Sequence, residues 1–209
     1  MPKNLILLHG LWMRGITLTV LQHRLEKAGY GVETLNYLSV ATPFEKTLES
    51  LRQRMHAYAD GVHVVGHSLG GLLALLACQG HDDLPPGRIV CMASPLTGSA
   101  IARQLSEHGG AWMLGHSRRI LENGLERWDG SREVGMVAGC NGVGLGTVMG
   151  HLEGESDGTV TVAETRLPGL TDHCVVQTSH TGMLLSRAAA AQTIAFLQHG
   201  HFRHPAPTP

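Results

Sequence analysis

The chain has 209 residues, of which 43% are hydrophobic and 16% are charged, which suits one compact domain and excludes a disordered chain. Sixteen Lys and Arg residues against seventeen Asp and Glu give a formal net charge of -1. No basic surplus therefore supports binding to nucleic acid or to anionic membranes. The sequence holds no run of about 18 apolar residues, so we expect no stable membrane insertion.

Short apolar runs alternate with longer segments of helical periodicity, which predicts an α/β fold with a mostly parallel six-stranded sheet and helices on both faces. The predicted strands are Asn4 to Leu8, Val32 to Tyr37, Val62 to Gly66, Arg88 to Met92, Val134 to Ala138 and His173 to Gln177. The predicted helices are Thr17 to Ala28, Thr42 to Ala59, Leu69 to Cys78, Ser99 to His108 and Thr181 to Gln198. We expect a single domain over residues 1–198.

Two segments lie outside this alternation. Gly142, Gly144 and Gly146 follow the fifth predicted strand, but their spacing does not match the dinucleotide-binding fingerprint, so we expect a flexible loop there. The Pro-rich residues 199–209 are expected to form a flexible C-terminal tail.

The spacing of the four cysteines favours free thiols in a reducing compartment. They are widely spaced in apolar stretches and lack the paired spacing of a zinc site or a redox motif. They are Cys78, Cys91, Cys140 and Cys174. The N-terminal apolar run is too short for a signal peptide and lacks a small-residue cleavage site. We therefore expect buried free thiols and a cytoplasmic location.

The strongest functional signal is the segment Gly66-His67-Ser68-Leu69-Gly70. It follows an apolar strand and precedes an apolar helix, and glycine stands two positions before and after the serine. A turn this tight has no room for side chains at those positions, and it lifts the serine Oγ clear of the sheet. The pattern predicts a nucleophile elbow, and the alternative is a coincidental Gly-rich turn.

With the elbow in place, the chain resembles the α/β-hydrolase family, in particular the small bacterial lipases and esterases without a large cap domain. The resemblance spans roughly Asn4 to Leu197. It rests on four stretches in the family's order: Leu7-Leu8-His9-Gly10-Leu11, the elbow, Ala93 to Ser99, and Ser156 to Val160 followed by Ser179-His180. The third is a partial match, because such lipases often have His where this chain has Leu96. The resemblance implies that the first two strands of the eight-stranded family fold are missing and that the strand order is 2-1-3-4-5-6.

A serine hydroxyl becomes a nucleophile only when a base takes its proton. Among fourteen histidines, His180 follows the last predicted strand and precedes the closing helix, where the resemblance places the catalytic histidine. We expect His67, inside the elbow, to be structural. His173 competes only if the last strand ends earlier than predicted.

The histidine in turn needs a carboxylate that fixes its tautomer. Between the serine and the histidine, the acidic residues near a strand end are Glu153, Glu155, Asp157 and Asp172. Asp157 fits best, because Ser156 to Val160 looks like the acid loop of this lipase group. The alternative is that Asp157 caps the segment Thr159 to Thr165. We expect Asp172 at the opposite edge of the sheet.

Acyl transfer also requires donors for the developing oxyanion. The resemblance assigns the backbone N–H groups of Leu11 and Leu69, and the alternative for Leu11 is a plain core residue. Trp12 and Met13 are expected either to line the mouth of the site or to belong to the core. The stretch Gly109 to Gly130 is longer than a simple crossover, so it is either an ordinary crossover or a short helical flap, a position where this family often has a lid.

These residues predict a serine hydrolase that cleaves carboxylic esters of small molecules or lipids through an acyl-enzyme intermediate. Such a mechanism requires no metal and no cofactor. An acyltransferase or a thioesterase would use the same triad, and a non-catalytic binding module on this scaffold is a third possibility. A metal site among the many histidines has little support, since no H-E-x-x-H spacing is present.

Overall fold

Six short strands form one sheet in the computed structural model, which describes residues 2–142 and 152–205. All neighbouring strands are parallel, and their order is β2-β1-β3-β4-β5-β6. They are β1 (Asn4–Leu8), β2 (Gly31–Leu35), β3 (Val62–His67), β4 (Ile89–Met92), β5 (Val134–Gly139) and β6 (Asp172–Val176). The predicted α/β class and strand order are confirmed.

Helices connect the strands and cover the sheet. Within the described residues the α-helices are α1 (Thr19–Lys27), α2 (Phe44–His56), α3 (Leu69–Cys78), α4 (Ala100–Glu107), α5 (Arg118–Asn123) and α6 (Arg187–His199). Short 3-10 helices span Gly15–Leu18, Ala111–Met113, Gly115–Ser117, Ala163–Thr165 and Gly182–Leu185. None of the described helices combines the length and the apolar character that crossing a membrane requires.

Four α-helices begin later than the sequence pattern predicts, and for two of them the local cause is clear. Pro43 has a non-helical ψ of 134°, so α2 starts at Phe44 rather than at Thr42. Ser186 is extended, and its hydroxyl accepts the N–H of Ala189 at 3.2 Å, so it caps α6. The predicted closing helix is therefore divided into a 3-10 helix and an α-helix.

Both faces of the sheet are covered, because alternate residues of a strand point to opposite sides. Ile6 of β1 packs in a cluster with Leu51 of α2, whereas Leu5 packs in a second cluster with Phe196 of α6. Burial on both faces explains the uninterrupted apolar strands. It leaves the carboxyl ends of the strands as the edge where loops bring polar side chains together.

The end of the chain differs from the expectation of a flexible tail from residue 199 onward. His199 still belongs to α6, and Phe202 is buried, with its ring 5.0 Å from that of Phe196. The carboxylate of Asp172 accepts the Phe202 N–H at 2.6 Å. A single aromatic residue thus returns to the core. Residues 206–209 of the predicted tail, and Gly144 and Gly146 of the predicted loop, lie outside the described residues.

Two histidines of β3 are almost fully buried, namely His63 and His67. Burial disfavours the charged imidazolium and lowers the pKa of His63 to about 4 and that of His67 to about 3, from an ordinary value of 6.5. The positive charge of Arg88 lowers the pKa of His63 further. Both imidazoles are therefore neutral at pH 7.

These two pKa values predict acid sensitivity. Between about pH 6 and pH 4 the unfolded chain binds protons that the folded chain does not, so stability is lost as the pH falls. Each histidine contributes a slope of about 1.4 kcal/mol per pH unit in the free energy of unfolding. Urea unfolding at stepped pH measures this slope. His67→Gln should reduce the slope of the free energy of unfolding against pH. Substitution of the exposed His23 by Gln is the control and should leave the slope unchanged. Equal slopes in both variants would contradict the role of buried His67 in acid sensitivity.

Candidate active site

Ser68 lies at the sharp turn between β3 and α3. Its φ of 54° is in the left-handed region that most residues avoid. A Cβ added at Gly66 would lie 2.3 Å from the carbonyl of Gly70, and one added at Gly70 would lie 2.6 Å from the Leu8 oxygen. Only glycine fits at either position, as the sequence argument requires. The Ser68 N–H donates to the Met92 carbonyl oxygen at 2.8 Å, which secures the turn to β4.

His180 and Asp157 form a hydrogen-bonded pair in the loops that follow β6 and β5. His180 Nδ1 donates to Asp157 Oδ2 at 2.8 Å, and the His180 N–H donates to the Asp157 carbonyl oxygen at 3.0 Å. The Asp157 side chain is 1% exposed and that of His180 is 14% exposed. Because Nδ1 carries the proton, Nε2 has a free lone pair and is able to accept a proton.

Asp157 also orders its own loop. Its Oδ1 accepts the N–H groups of Thr159 at 2.9 Å and Val160 at 2.8 Å. Asp157 therefore has both of the roles considered from sequence: Oδ1 caps the following segment, and Oδ2 pairs with His180. Asp172 instead lies at the start of β6, where it binds the end of the chain.

Ser68 and His180 line the same cavity, which has a volume of about 580 Å³. Its lining is mostly apolar, and the described residues contribute no Lys, Arg, Asp or Glu side chain to it. The remaining lining residues are Leu11, Trp12, Met13, Pro95, Ser99, Ile101, Ala102, Leu105, Met113, Leu114, Leu121, Thr159, Val160, Ser179 and Thr181. Asp157 is not among the lining residues and lies buried behind His180.

The segment after β1 runs directly beside the serine. A Cβ added at Gly10 would lie 3.1 Å from Ser68 Cβ, so the backbone at Gly10 is in close contact with Ser68. Leu11 follows at once and lines the cavity. Leu69 is the first residue of α3, and the first N–H groups of a helix have no partner within it. Both residues named for the oxyanion are thus neighbours of Ser68: Leu69 follows it in the sequence, and Leu11 follows Gly10, whose backbone contacts it.

Trp12 and Met13 both line the cavity. Of the two placements considered from sequence, the mouth of the site or the core, this corresponds to the first. Trp12 is half exposed and has a φ of 57°. Its N–H donates to Ser39 Oγ at 3.0 Å, and its indole N–H donates to the Met113 carbonyl oxygen at 2.9 Å. Trp12 is thereby fixed between the loop after β2 and the stretch Gly109 to Gly130.

The stretch Gly109 to Gly130 forms two 3-10 helices and α5. Met113, Leu114 and Leu121 from this stretch form part of the cavity wall. The stretch therefore lies beside the site. That it opens as a flap, rather than being an ordinary crossover, stays a prediction.

His67 is a neighbour of the pair whose contacts the sequence pattern did not reveal. Its Nε2 donates to the carbonyl oxygen of His180 at 3.0 Å, and the two rings lie 4.8 Å apart. Burial and the nearby His180 lower its pKa to about 3. The neutral imidazole of His67 thus holds the His180 backbone in place through this hydrogen bond.

Glu164 also supports the site, and the sequence analysis did not identify it. It is buried, and its carboxylate accepts the N–H of Ala100 at 2.6 Å and that of Thr161 at 2.8 Å. The Thr161 hydroxyl accepts the Glu164 N–H in return, at 3.1 Å, which is the reciprocal pattern of a capping box. Glu164 thus fixes the loop that contains Asp157 to the start of α4. The Thr-x-x-Glu spacing was the available signal.

Residues 5–208 match the family model described as the alpha/beta hydrolase family, which is nearly the whole chain. The chain belongs to the alpha/beta hydrolase family. A search of curated proteins finds no match.

Several solved structures share the fold of this alpha/beta hydrolase. The mature lipase BlEst2 of Bacillus licheniformis is 18% identical, with a TM-score of 0.76, over 94% of this chain and 91% of its own. The pyrethroid hydrolase PytH is 13% identical, with a TM-score of 0.69, over 96% of this chain and 99% of its own. The product of the Listeria innocua gene lin2722 is 14% identical, with a TM-score of 0.60, over 95% of this chain and 94% of its own. At these identities the likeness shows the fold alone.

Within residues 2–142 and 152–205, no three His, Cys, Asp or Glu side chains of this hydrolase come together in an arrangement that would hold a metal ion. The described histidines near the site have protein partners instead. His9 contacts Gly10 and Tyr37, and His180 contacts Asp157.

The elbow geometry gives a direct prediction for Gly70→Ala. The added carbon would meet the carbonyl oxygens of Leu8 and His9 at 2.6 and 2.9 Å, and backbone there has little freedom to move. We expect a loss of about 1–3 kcal/mol in the free energy of unfolding, together with a loss of any activity that depends on Ser68. Gly142→Ala is the control, because its nearest neighbours are 3.8 Å away. Equal stability of the two variants would contradict the packing argument.

Proposed function

We propose that this alpha/beta hydrolase cleaves carboxylic esters through an acyl-enzyme intermediate, with Ser68 as nucleophile, His180 as base and Asp157 as the residue that orients the base. The observation that supports this proposal most is the 2.8 Å hydrogen bond between Asp157 and His180, since His180 and the elbow serine line one apolar cavity. A structural ion pair alone would not require a strained serine beside it.

In the proposed reaction, the Ser68 hydroxyl attacks the ester carbonyl carbon while His180 Nε2 takes its proton. The carbonyl electron pair moves onto oxygen, and Asp157 stabilises the imidazolium that forms. Collapse of the tetrahedral adduct breaks the bond to the alcohol oxygen, and the alcohol leaves with the proton from His180. Water then attacks the acyl-enzyme by the same route, which releases the carboxylic acid and restores the serine.

The negative charge on the tetrahedral adduct requires donors fixed in advance. We assign this role to the backbone N–H groups of Leu11 and Leu69. The support is positional: Gly10 lies against Ser68, and Leu69 begins α3 directly after it. The side chains of the two leucines take no part in binding the oxyanion.

The cavity favours an uncharged, apolar substrate group. Among the described residues, no Lys, Arg, Asp or Glu side chain lines it, so a buried carboxylate or phosphate on the substrate would have no cationic partner from that part of the chain. Trp12 and Met13 at the cavity wall offer apolar contact to an acyl or alcohol group. We propose esters of short to medium acyl chains as substrates.

The four cysteines are free, which supports a reducing compartment such as the cytoplasm.

Hydrolysis of p-nitrophenyl esters of graded acyl length tests the proposal. We expect turnover by the wild type with an optimum at short to medium chains, and a loss of about 10⁶-fold in kcat in Ser68→Ala because the nucleophile is absent. The wild type and the variant should unfold at similar urea concentrations. Folded wild-type protein without turnover on the whole series would contradict the proposal and favour a transferase of narrow specificity or a non-catalytic scaffold.

A second prediction separates the two aspartates considered from sequence. Asp157→Asn removes the charge that holds His180 in its productive tautomer, so kcat should fall by about 10⁴-fold. Asp172→Asn is the matched control at the other edge of the sheet, and its kcat per folded molecule should be unchanged. Equal losses in both variants would show that Asp157 acts through stability rather than through His180.

A further inference from the structure

The Gly10–Leu11 peptide has an unusual set of partners on its carbonyl side. The Gly10 carbonyl oxygen accepts His9 Nδ1 at 2.9 Å and the Met13 N–H at 3.4 Å. This carbonyl belongs to the same peptide unit as the Leu11 N–H. Because a peptide unit is planar and trans, its N–H points opposite to its C=O, so whatever fixes the oxygen also fixes the direction of the N–H.

His9 is itself held rigidly. Its side chain is fully buried and its ring is stacked on that of Tyr37, with the centroids 4.1 Å apart and the planes 8° from parallel. The Tyr37 hydroxyl donates to the His9 carbonyl oxygen, and the Tyr37 N–H donates to His9 Nε2 at 3.4 Å. The ring is therefore clamped by one tyrosine from the loop after β2.

These contacts settle the tautomer of His9. The Gly10 carbonyl only accepts, so Nδ1 bears the proton; the Tyr37 N–H only donates, so Nε2 is the bare nitrogen. Burial lowers the pKa of His9 below its ordinary value, in agreement with a neutral ring. A neutral imidazole with a fixed donor is thus aimed at the peptide next to the nucleophile.

We propose that His9, clamped by Tyr37, is a positioning residue that orients the Gly10–Leu11 peptide so that the Leu11 N–H faces the oxyanion. The proposal rests on the ester hydrolase function proposed above. His9 touches neither the substrate nor the reacting atoms; it acts through Leu11.

Two physical effects give His9 this role. Gly10 has no Cβ and lies against Ser68, so nothing in its own side chain restricts the following peptide. The hydrogen bond from His9 supplies that restriction. It also polarises the peptide, and donors in a chain of hydrogen bonds strengthen one another, so the Leu11 N–H becomes a better donor.

Two substitutions separate the hydrogen bond from the packing. His9→Phe keeps a ring that stacks on Tyr37 but removes the Nδ1 donor. His9→Asn loses the ring but places an amide nitrogen close to the position of Nδ1. Tyr37→Phe is the companion variant, since it keeps the stacked ring and removes only the hydroxyl that binds the His9 carbonyl oxygen.

For each variant, kcat and KM are measured on the best p-nitrophenyl ester, together with the affinity for a trifluoromethyl ketone that forms a tetrahedral adduct with the serine. Urea unfolding gives the folded fraction. We expect His9→Phe to lower kcat by about 10- to 100-fold, less than the loss of a whole oxyanion donor, with KM within about twofold of the wild type. The ketone affinity should fall by the same factor as kcat. His9→Asn should recover most of both losses, and Tyr37→Phe should show a smaller loss.

Wild-type values of kcat and ketone affinity in folded His9→Phe would overturn the role of His9. Equal losses in the Phe and Asn variants would also overturn it, because packing rather than the donor would then be responsible. If the wild type hydrolyses no ester, the proposed function fails, and the ketone affinities of the variants still decide whether His9 orients the peptide.

Discussion

The close approach of α3 to the end of β1 is the constraint on which the site depends. At Gly70 and Leu8 the two elements meet through backbone alone, with no room for a methyl group between them. The same turn places Ser68, with its positive φ, beside the Gly10–Leu11 peptide. The strain is local, and a hydrogen bond to β4 and the packed sheet hold it in place.

The environment of each histidine decides its chemistry in this chain. His63 and His67 are buried and form hydrogen bonds with backbone groups, so burial lowers their pKa values and they serve as neutral hydrogen-bonding groups. His180 is partly exposed at the cavity and has a buried carboxylate on Nδ1. This combination leaves Nε2 available at the cavity and places a carboxylate where it would stabilise an imidazolium. Residue type alone, with fourteen histidines present, does not make the distinction.

The fold and the elbow were predictable because their signals are local. Apolar runs mark the strands, and the glycines around Ser68 report the space available in one turn. The clamp of Tyr37 on His9 joins residues 28 positions apart, and no spacing rule connects them. The return of Phe202 to the core was missed for a related reason: one aromatic residue in a Pro-rich segment gives no periodicity. The pairing of Asp157 with His180 needed the family resemblance, since four acidic residues fitted the chain order.

The central claim, that Ser68 is activated by His180 and Asp157, is tested most directly by labelling the folded protein with a fluorophosphonate and mapping the modified peptide by mass spectrometry. An activated serine attacks phosphorus and expels fluoride, while the histidine accepts the serine proton. The account predicts a single phosphonyl group on Ser68, with labelling that is far slower in Asp157→Asn. A folded wild-type protein that takes up no label, or takes it up on another serine, would contradict it.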